Sequence, residues 1–432
     1  MVAVPSRLPG RRRVVPLATL HSAIPDQRLA AKVRLDPFFG SMLVTASGGL
    51  TASWMTRRMS TRFEQLGIAH RKPVKRSLSE EEALDAIVNG TAKWRRSCLE
   101  VLGALSVWRT ATSEQVAAII GDPKMANEWR SQAHVLWAAG LVQEGTVTPP
   151  AGMNHFPRLY RLDRLGPWEK LAKHLRFEEW LGVIGARQWG AGASHDRHNL
   201  IATEIGLRIA EFCRIGTALG ETPVRNIVDP SCSVPARSPR AADGVVVRRD
   251  GLRIAIEATA AITGLDEKVS AWADILSRDE SRSTVVVFVD IWRSATEAGM
   301  SASAGRFSHN IRQVVARESS ATMARVSARV PERIGVIRWE DWFPGPGLVD
   351  DGAFLGLTAE FHTGPREKPW AAVDLLDPSF NPVRDPAKRE VITNARSLYG
   401  VPHWLRSGEK RDWTHRLVRW AGLEPAFESY AA

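Results

Sequence analysis

Two carboxylates, Asp243 and Glu257, close the open end of a segment that reads as a β-hairpin. The runs Val245-Val246-Val247 and Ile254-Ala255-Ile256 are apolar and largely β-branched, and between them lies Asp250-Gly251, a turn dipeptide. The register of the hairpin decides what the two acids can do. A three-residue loop, Arg249-Asp250-Gly251, sets Asp243 directly opposite Glu257, with Cβ atoms about 4.5–5.5 Å apart on one face. A two-residue Asp250-Gly251 loop puts the acids on opposite faces. Three-residue loops that end on a left-handed Gly are common, so the first register is the expectation. Two carboxylates that close repel unless a cation lies between them. Mg²⁺ or Mn²⁺, hard ions that prefer oxygen ligands, would fill that role. Such a centre polarises a phosphodiester and activates water, and Lys268 on the next helix would stabilise the developing charge. Each residue also has an ordinary alternative. Asp243-Gly244 can be a turn that opens a strand, Glu257 a solvated strand end, and Lys268 a helix-surface lysine.

The elements that must position these groups alternate in a regular way over residues 196–343. A helix over 198–212 carries Ile201, Ile205 and Ile209 on one stripe. A strand is expected near 224–228, then the hairpin, then a helix over 265–277. The continuous apolar run 284–289 reads as a buried strand. A helix over 307–326 and a strand over 334–339 complete the set. The order predicts an α/β (α+β) domain, a mixed sheet covered by helices.

Residues 81–165 read as a winged helix-turn-helix. A helix over 92–108 has Leu99, Leu102 and Leu105 on one face. Thr112 and Gln115 form a capping-box pattern before the short helix Ser113–Ile120. A third helix over 124–139 closes at Gly140, and two short strands near 141–142 and 158–162 make the wing. In such a module the third helix enters the major groove, and its expected exposed readers are Lys124, Asn127, Arg130, Ser131 and His134. Residues 166–195 read as a connecting helix that ends in a Gly-rich break. Residues 344–432 form a C-terminal extension opening on the linker Pro344-Gly345-Pro346-Gly347. Its Trp- and Arg-rich end can grip single-stranded nucleic acid, but packing onto the preceding domain is the expectation.

Charge is distributed unevenly. Residues 1–80 hold 14 Lys/Arg against 4 Asp/Glu, which accounts for +10 of the formal net charge of +11. This stretch reads as a basic, largely flexible arm with a short helix near 56–66. Arg71, Lys72, Lys75 and Arg76 would attract phosphate backbones without reading sequence. The three cysteines, Cys98, Cys213 and Cys232, lie far apart, so neither a disulfide framework nor a thiolate zinc site is suggested. His195 and His198 stand three apart without a third ligand, and His198 is expected to cap or pack. No apolar run of about 18 residues exists, which argues against membrane insertion. The opening segment is too short and too broken for a secretion signal, so a cytoplasmic location is expected.

The region 196–343 resembles the PD-(D/E)xK nuclease superfamily, in the acid that opens one strand and the acid that ends the next. The resemblance implies Asp243 and Glu257 as metal ligands for Mg²⁺ or Mn²⁺, and Glu204 on the first helix as a supporting carboxylate. The sequence departs from the pattern at Thr259, where the family has Lys, and at Ala242, where it often has Pro. Lys268 would replace the missing cation. A second resemblance, over residues 90–295, is to the actinobacterial replication-relaxation family. It rests on His198-Asn199-Leu200, Asp243-Gly244, Ile256-Glu257-Ala258-Thr259, and Lys268 with Trp272. It implies a DNA-binding protein of a plasmid or mobile element, acting in replication or transfer, as a homodimer or with other replication or transfer proteins. Three activities remain open: binding without cutting, metal-dependent DNA cleavage, and transcriptional control of the element itself.

Overall fold

The computed structural model of the chain describes residues 13–23, 52–70, 78–120, 122–126, 132–147, 157–176, 179–180, 183, 196–215, 217–223, 241–248, 250, 252–260, 263–278, 284–291, 309–318, 333–362 and 370–380. They form a mixed α/β fold with a helical module and a sheet module.

β1 (Val14–Pro16) pairs with a strand of the sheet module, and the helical module takes in β2 (Ser53–Met55), α1 (Arg57–Gln65), α2 (Glu80–Val88), α3 (Ala92–Trp108), β3 (Ala111–Thr112), α4 (Ser113–Ile120), α5 (Gln132–Ala138), β4 (Val142–Thr146), β5 (Leu159–Leu162) and α6 (Trp168–Ala172). Local chemistry sets the helix starts. Ser79 and Glu82 cap α2 reciprocally, and Thr91 caps α3. The expected box at α4 forms as well: the Thr112 N–H donates to Gln115 Oε1 at 3.1 Å, and the Gln115 N–H donates to Thr112 Oγ1 at 3.0 Å. Leu99, Leu102 and Leu105 are buried, as their spacing predicts. The strands form a four-stranded sheet in the order β2-β4-β5-β3. Of the expected third helix, a 3-10 turn over Pro123–Ala126 and the α-helical stretch Gln132–Ala138 are described, and 127–131 lie outside the described residues.

The sheet module begins with α7 (Asp196–Phe212) and β6 (Thr217–Leu219). It continues through β7 (Gly244–Val247), β8 (Arg253–Thr259), α8 (Leu265–Leu276), β9 (Thr284–Asp290), β10 (Ile334–Arg338), β11 (Leu348–Asp350), β12 (Ala359–His362) and β13 (Trp370–Val373). Seven strands line up as β13-β12-β10-β9-β8-β7-β6. Neighbours from β6 to β8 are antiparallel, β8 to β10 are parallel, and β10 to β13 are antiparallel. The hairpin takes the three-residue register: Val247 pairs with Arg253, Val246 with Ile254, and Gly244 with Ile256. Every residue of β9 is buried, which its unbroken apolar run demands.

Two segment boundaries differ from expectation. Parts of the expected basic arm are built into the fold: β1 pairs with β11, Leu17 is buried, and β2 adds a strand beside β4. β1 makes a two-stranded ladder with β11 and β2 an edge of the four-stranded sheet, and this pairing with the burial of Leu17 outweighs the flexibility suggested by the surrounding composition. The expected linker at 344–347 does not end the domain, because β12 and β13 extend the same sheet past it. Of the expected connecting helix, the described part is α6, a turn and the helical residues 179, 180 and 183, while 184–195 lies outside the described residues, as does the strand expected over 224–228.

α7 is buried along nearly its whole length because both modules pack on it. Gly206 marks the tightest point, where an added Cβ would stand 2.6 Å from the Trp108 ring. Replacing a mid-helix Gly by Ala ordinarily stabilises a helix by about 1 kcal/mol. Here Gly206→Ala is expected to destabilise the chain by about 1–3 kcal/mol through overpacking. Urea unfolding of the two proteins checks the sign.

Candidate functional site

Asp243 stands one residue before β7, where its N–H donates to Ile256 O at 3.0 Å. Its Oδ2 accepts the Ala258 N–H at 2.8 Å, so the side chain reaches across to β8. Its Oδ1 lies 2.9 Å from Nε2 of His198, in the first turn of α7. Glu257 lies near the end of β8 and is 1% exposed. Its Oε1 accepts the Trp272 indole N–H at 2.5 Å, and its Oε2 contacts the Lys268 ammonium. The same ammonium is 3.9 Å from Asp243 Oδ2. Lys268 and Trp272 are four apart on α8 and so share one face of it. Gly264 opens that helix at φ 71°, a left-handed turn that brings the chain round from β8. Lys268 therefore bridges the two acids, and His198 bonds Asp243 alone.

The electrostatics follow from this packing. Burial alone would raise the Asp243 carboxyl, but the charges of His198 and Lys268 overrule it. Hydrogen bonds from His198 and the Ala258 N–H add to them and hold it at about 2. Burial opposes the charged form of His198, yet Asp243 overrides that through charge and hydrogen bond, and the imidazole is raised above 6.5. The sequence links neither His198 nor Trp272 to the acids by spacing. His198 meets Asp243 because α7 packs its first turn against the end of the hairpin.

Glu204 is not part of this group. Its carboxylate accepts the Gln115 amide at 3.2 Å and pairs with Arg208 at 3.0 Å. Six residues beyond His198 an α-helix has turned through about 600°, which points Glu204 toward α4. Arg208 in turn lies over Phe343 and Trp339, at 4.5 and 5.3 Å from their ring centroids. Among the described residues, no three His, Cys, Asp or Glu side chains are grouped so as to hold a metal ion. Both oxygens of each central acid are engaged by His198, the Ala258 N–H, Trp272 or Lys268. In this arrangement the residues do not fit a resident Mg²⁺ or Mn²⁺, because the Lys268 ammonium takes the place between the acids.

Of the expected DNA-reading residues, Lys124 is exposed on the 3-10 turn before α5. His134 is buried, and burial with the neighbouring charge of Arg158 pushes it down to about 4. It belongs to the packed face of α5 with Ala133, Leu136 and Trp137, and not to an exposed reading face. Asn127, Arg130 and Ser131, and the arm residues Arg71, Lys72, Lys75 and Arg76, lie outside the described residues.

The two modules meet at the start of α7. Asp196 accepts the Trp54 indole N–H at 2.9 Å and the Thr110 hydroxyl at 2.9 Å, and Arg161 stands 3.6 Å away. Arg161 also covers the Trp54 ring at 3.9 Å. Arg197 donates to Ile291 O at 3.0 Å and so ties the same turn to the end of β9. Among the described residues, no helix is long and apolar enough to cross a membrane. Comparisons with family models, with curated proteins and with solved structures find no match for this chain.

The His198–Asp243 pair makes a signed prediction. A raised histidine pKa adds stability that is fully present below 6.5 and is lost as pH rises through the higher folded value. The depressed Asp243 adds stability present above 3.8 and lost as pH falls through about 2. In Asp243→Asn the His198 pKa is expected to fall below 6.5, because burial then acts without the opposing charge. An NMR titration of the imidazole reads this directly, and an unchanged pKa would contradict the pairing.

Proposed function

We propose that the chain is a DNA-binding protein of a plasmid or mobile element, acting in replication or transfer, whose nuclease-like sheet binds without cutting. The observation that supports DNA binding is the connectivity of the helical module. The order is α3, β3, α4, α5, β4, β5, with β3 paired to β5 and β5 to β4. That order supports a winged helix-turn-helix reading, in which the third helix faces the major groove and the hairpin flanks it. The basic excess of residues 1–80 supplies phosphate attraction that is independent of sequence.

The sheet module supports the nuclease-like reading through its order of one helix, three antiparallel strands, a helix and a parallel strand. The pairing of Asp243 and Glu257 across β7 and β8 supports the same reading. The absence of cutting rests on the internal cation: Lys268 contacts Glu257 and lies within 4 Å of Asp243, so the acids' attraction for a divalent ion is already met. The runner-up, a Mg²⁺-dependent endonuclease, draws on the same three residues, with Lys268 displaced on ion binding.

Supercoiled plasmid with Mg²⁺ or Mn²⁺ separates the two readings. Wild type and an Asp243→Ala, Glu257→Ala double variant that keeps its fold are both expected to retard the DNA, and neither to nick it. Retardation should weaken at least roughly tenfold between about 50 and 200 mM salt, as several phosphate contacts require. Nicking by wild type alone would establish the endonuclease.

A further inference from the structure

Asp243 is flanked on both sides by short ladders. Leu219 pairs with Val245 on β7, and Thr222 pairs with Ala242 just before it. Both pairs lie in one register, and that register sets Glu221 opposite Asp243. On the other side, the β7–β8 register sets Glu257 opposite Asp243. Opposed residues of antiparallel neighbours share a face. Glu221, Asp243 and Glu257 therefore form one row of carboxylates across three neighbouring segments.

Each acid is met by a basic group from a different helix. Lys268 of α8 contacts Glu257, and His198 of α7 contacts Asp243. Arg109, which ends α3, grips Glu221 with Nε on Oε2 and Nη2 on Oε1. Arg109 alone of these cations comes from the helical module. It is held at φ 64°, a conformation that costs free energy for any residue with a side chain and persists only where the surroundings impose it. The surroundings are close-fitting. The Glu221 N–H donates to Val107 O at 3.1 Å. A Cβ added at Gly220 would stand 2.6 Å from Val107 Cγ1. Burial pushes the Glu221 carboxyl up to about 7 even with the Arg109 charge pulling it down, so without that charge the acid would hold its proton still more tightly.

We propose that Glu221 is the third carboxylate of this row and that its clamp with Arg109 is a latch between the two modules. Docking of the helical module supplies the row with its Arg109 charge, and undocking removes one of its three basic partners. By linkage, whatever displaces Arg109 also perturbs the acids, and whatever neutralises Glu221 loosens the helical module. This inference does not depend on DNA binding, so its failure would leave that reading standing.

A double-mutant cycle on the full chain tests it, with Arg109→Met, Glu221→Gln and the two together, each followed by urea unfolding. The expected result is a non-additivity of at least about threefold in the unfolding constant, within the range measured for residues in contact. Any smaller value overturns the latch. If a single variant fails to fold, native-state hydrogen exchange on the wild type decides instead. The amides of 110–112 and of 217–222 should then open together with one free energy, and separate openings would refute the latch.

Discussion

Two like charges side by side, one buried and one half-buried, must be cancelled or one must be given up. At about 5 Å and an effective dielectric near 20, the repulsion between Asp243 and Glu257 is about 3 kcal/mol, a large share of a typical domain's stability. The chain cancels it with its own side chains. Lys268 contacts Glu257 and reaches toward Asp243, His198 bonds Asp243, and Trp272 and the Ala258 N–H take further oxygens. A buried network of this kind is stable only when every member is present, since removing one partner leaves an uncompensated charge.

That requirement explains the placement of the surrounding elements. The β7–β8 register aligns the acids, and a one-residue slip would send them to opposite faces. α8 must start at the left-handed Gly264 so that its first turn delivers Lys268 and its second Trp272. α7 must pack with His198 toward the hairpin, and its other faces then carry Asp196 and Glu204 to the helical module. The buried helix is thus shared by the charge network and the module interface.

Much of this was legible in the residues themselves. The hairpin register followed from Asp250-Gly251, the capping box from Thr112 and Gln115, and the position of Lys268 from its place one turn into a helix that starts beside the acids. These are local signals with periods of two or 3.6 residues. The partners of Asp243 and Glu204 were not legible, because they depend on how α7 packs, and nothing in a spacing of 45 residues between His198 and Asp243 encodes that contact. His134 was misplaced for a related reason: a polar residue next to Ala133, Leu136 and Trp137 was read as exposed, while the packing of α5 buries it. The built-in strands at 14–16 and 53–55 were hidden by the basic, Gly- and Pro-rich sequence around them.

The central claim is that internal cations already satisfy the acid pair. Isothermal calorimetry of the full chain with Mn²⁺ near neutral pH tests it most directly. The account predicts no stoichiometric heat in the wild type up to millimolar ion. One Mn²⁺ taken up per chain, and lost on replacing Asp243 by Asn, would contradict it.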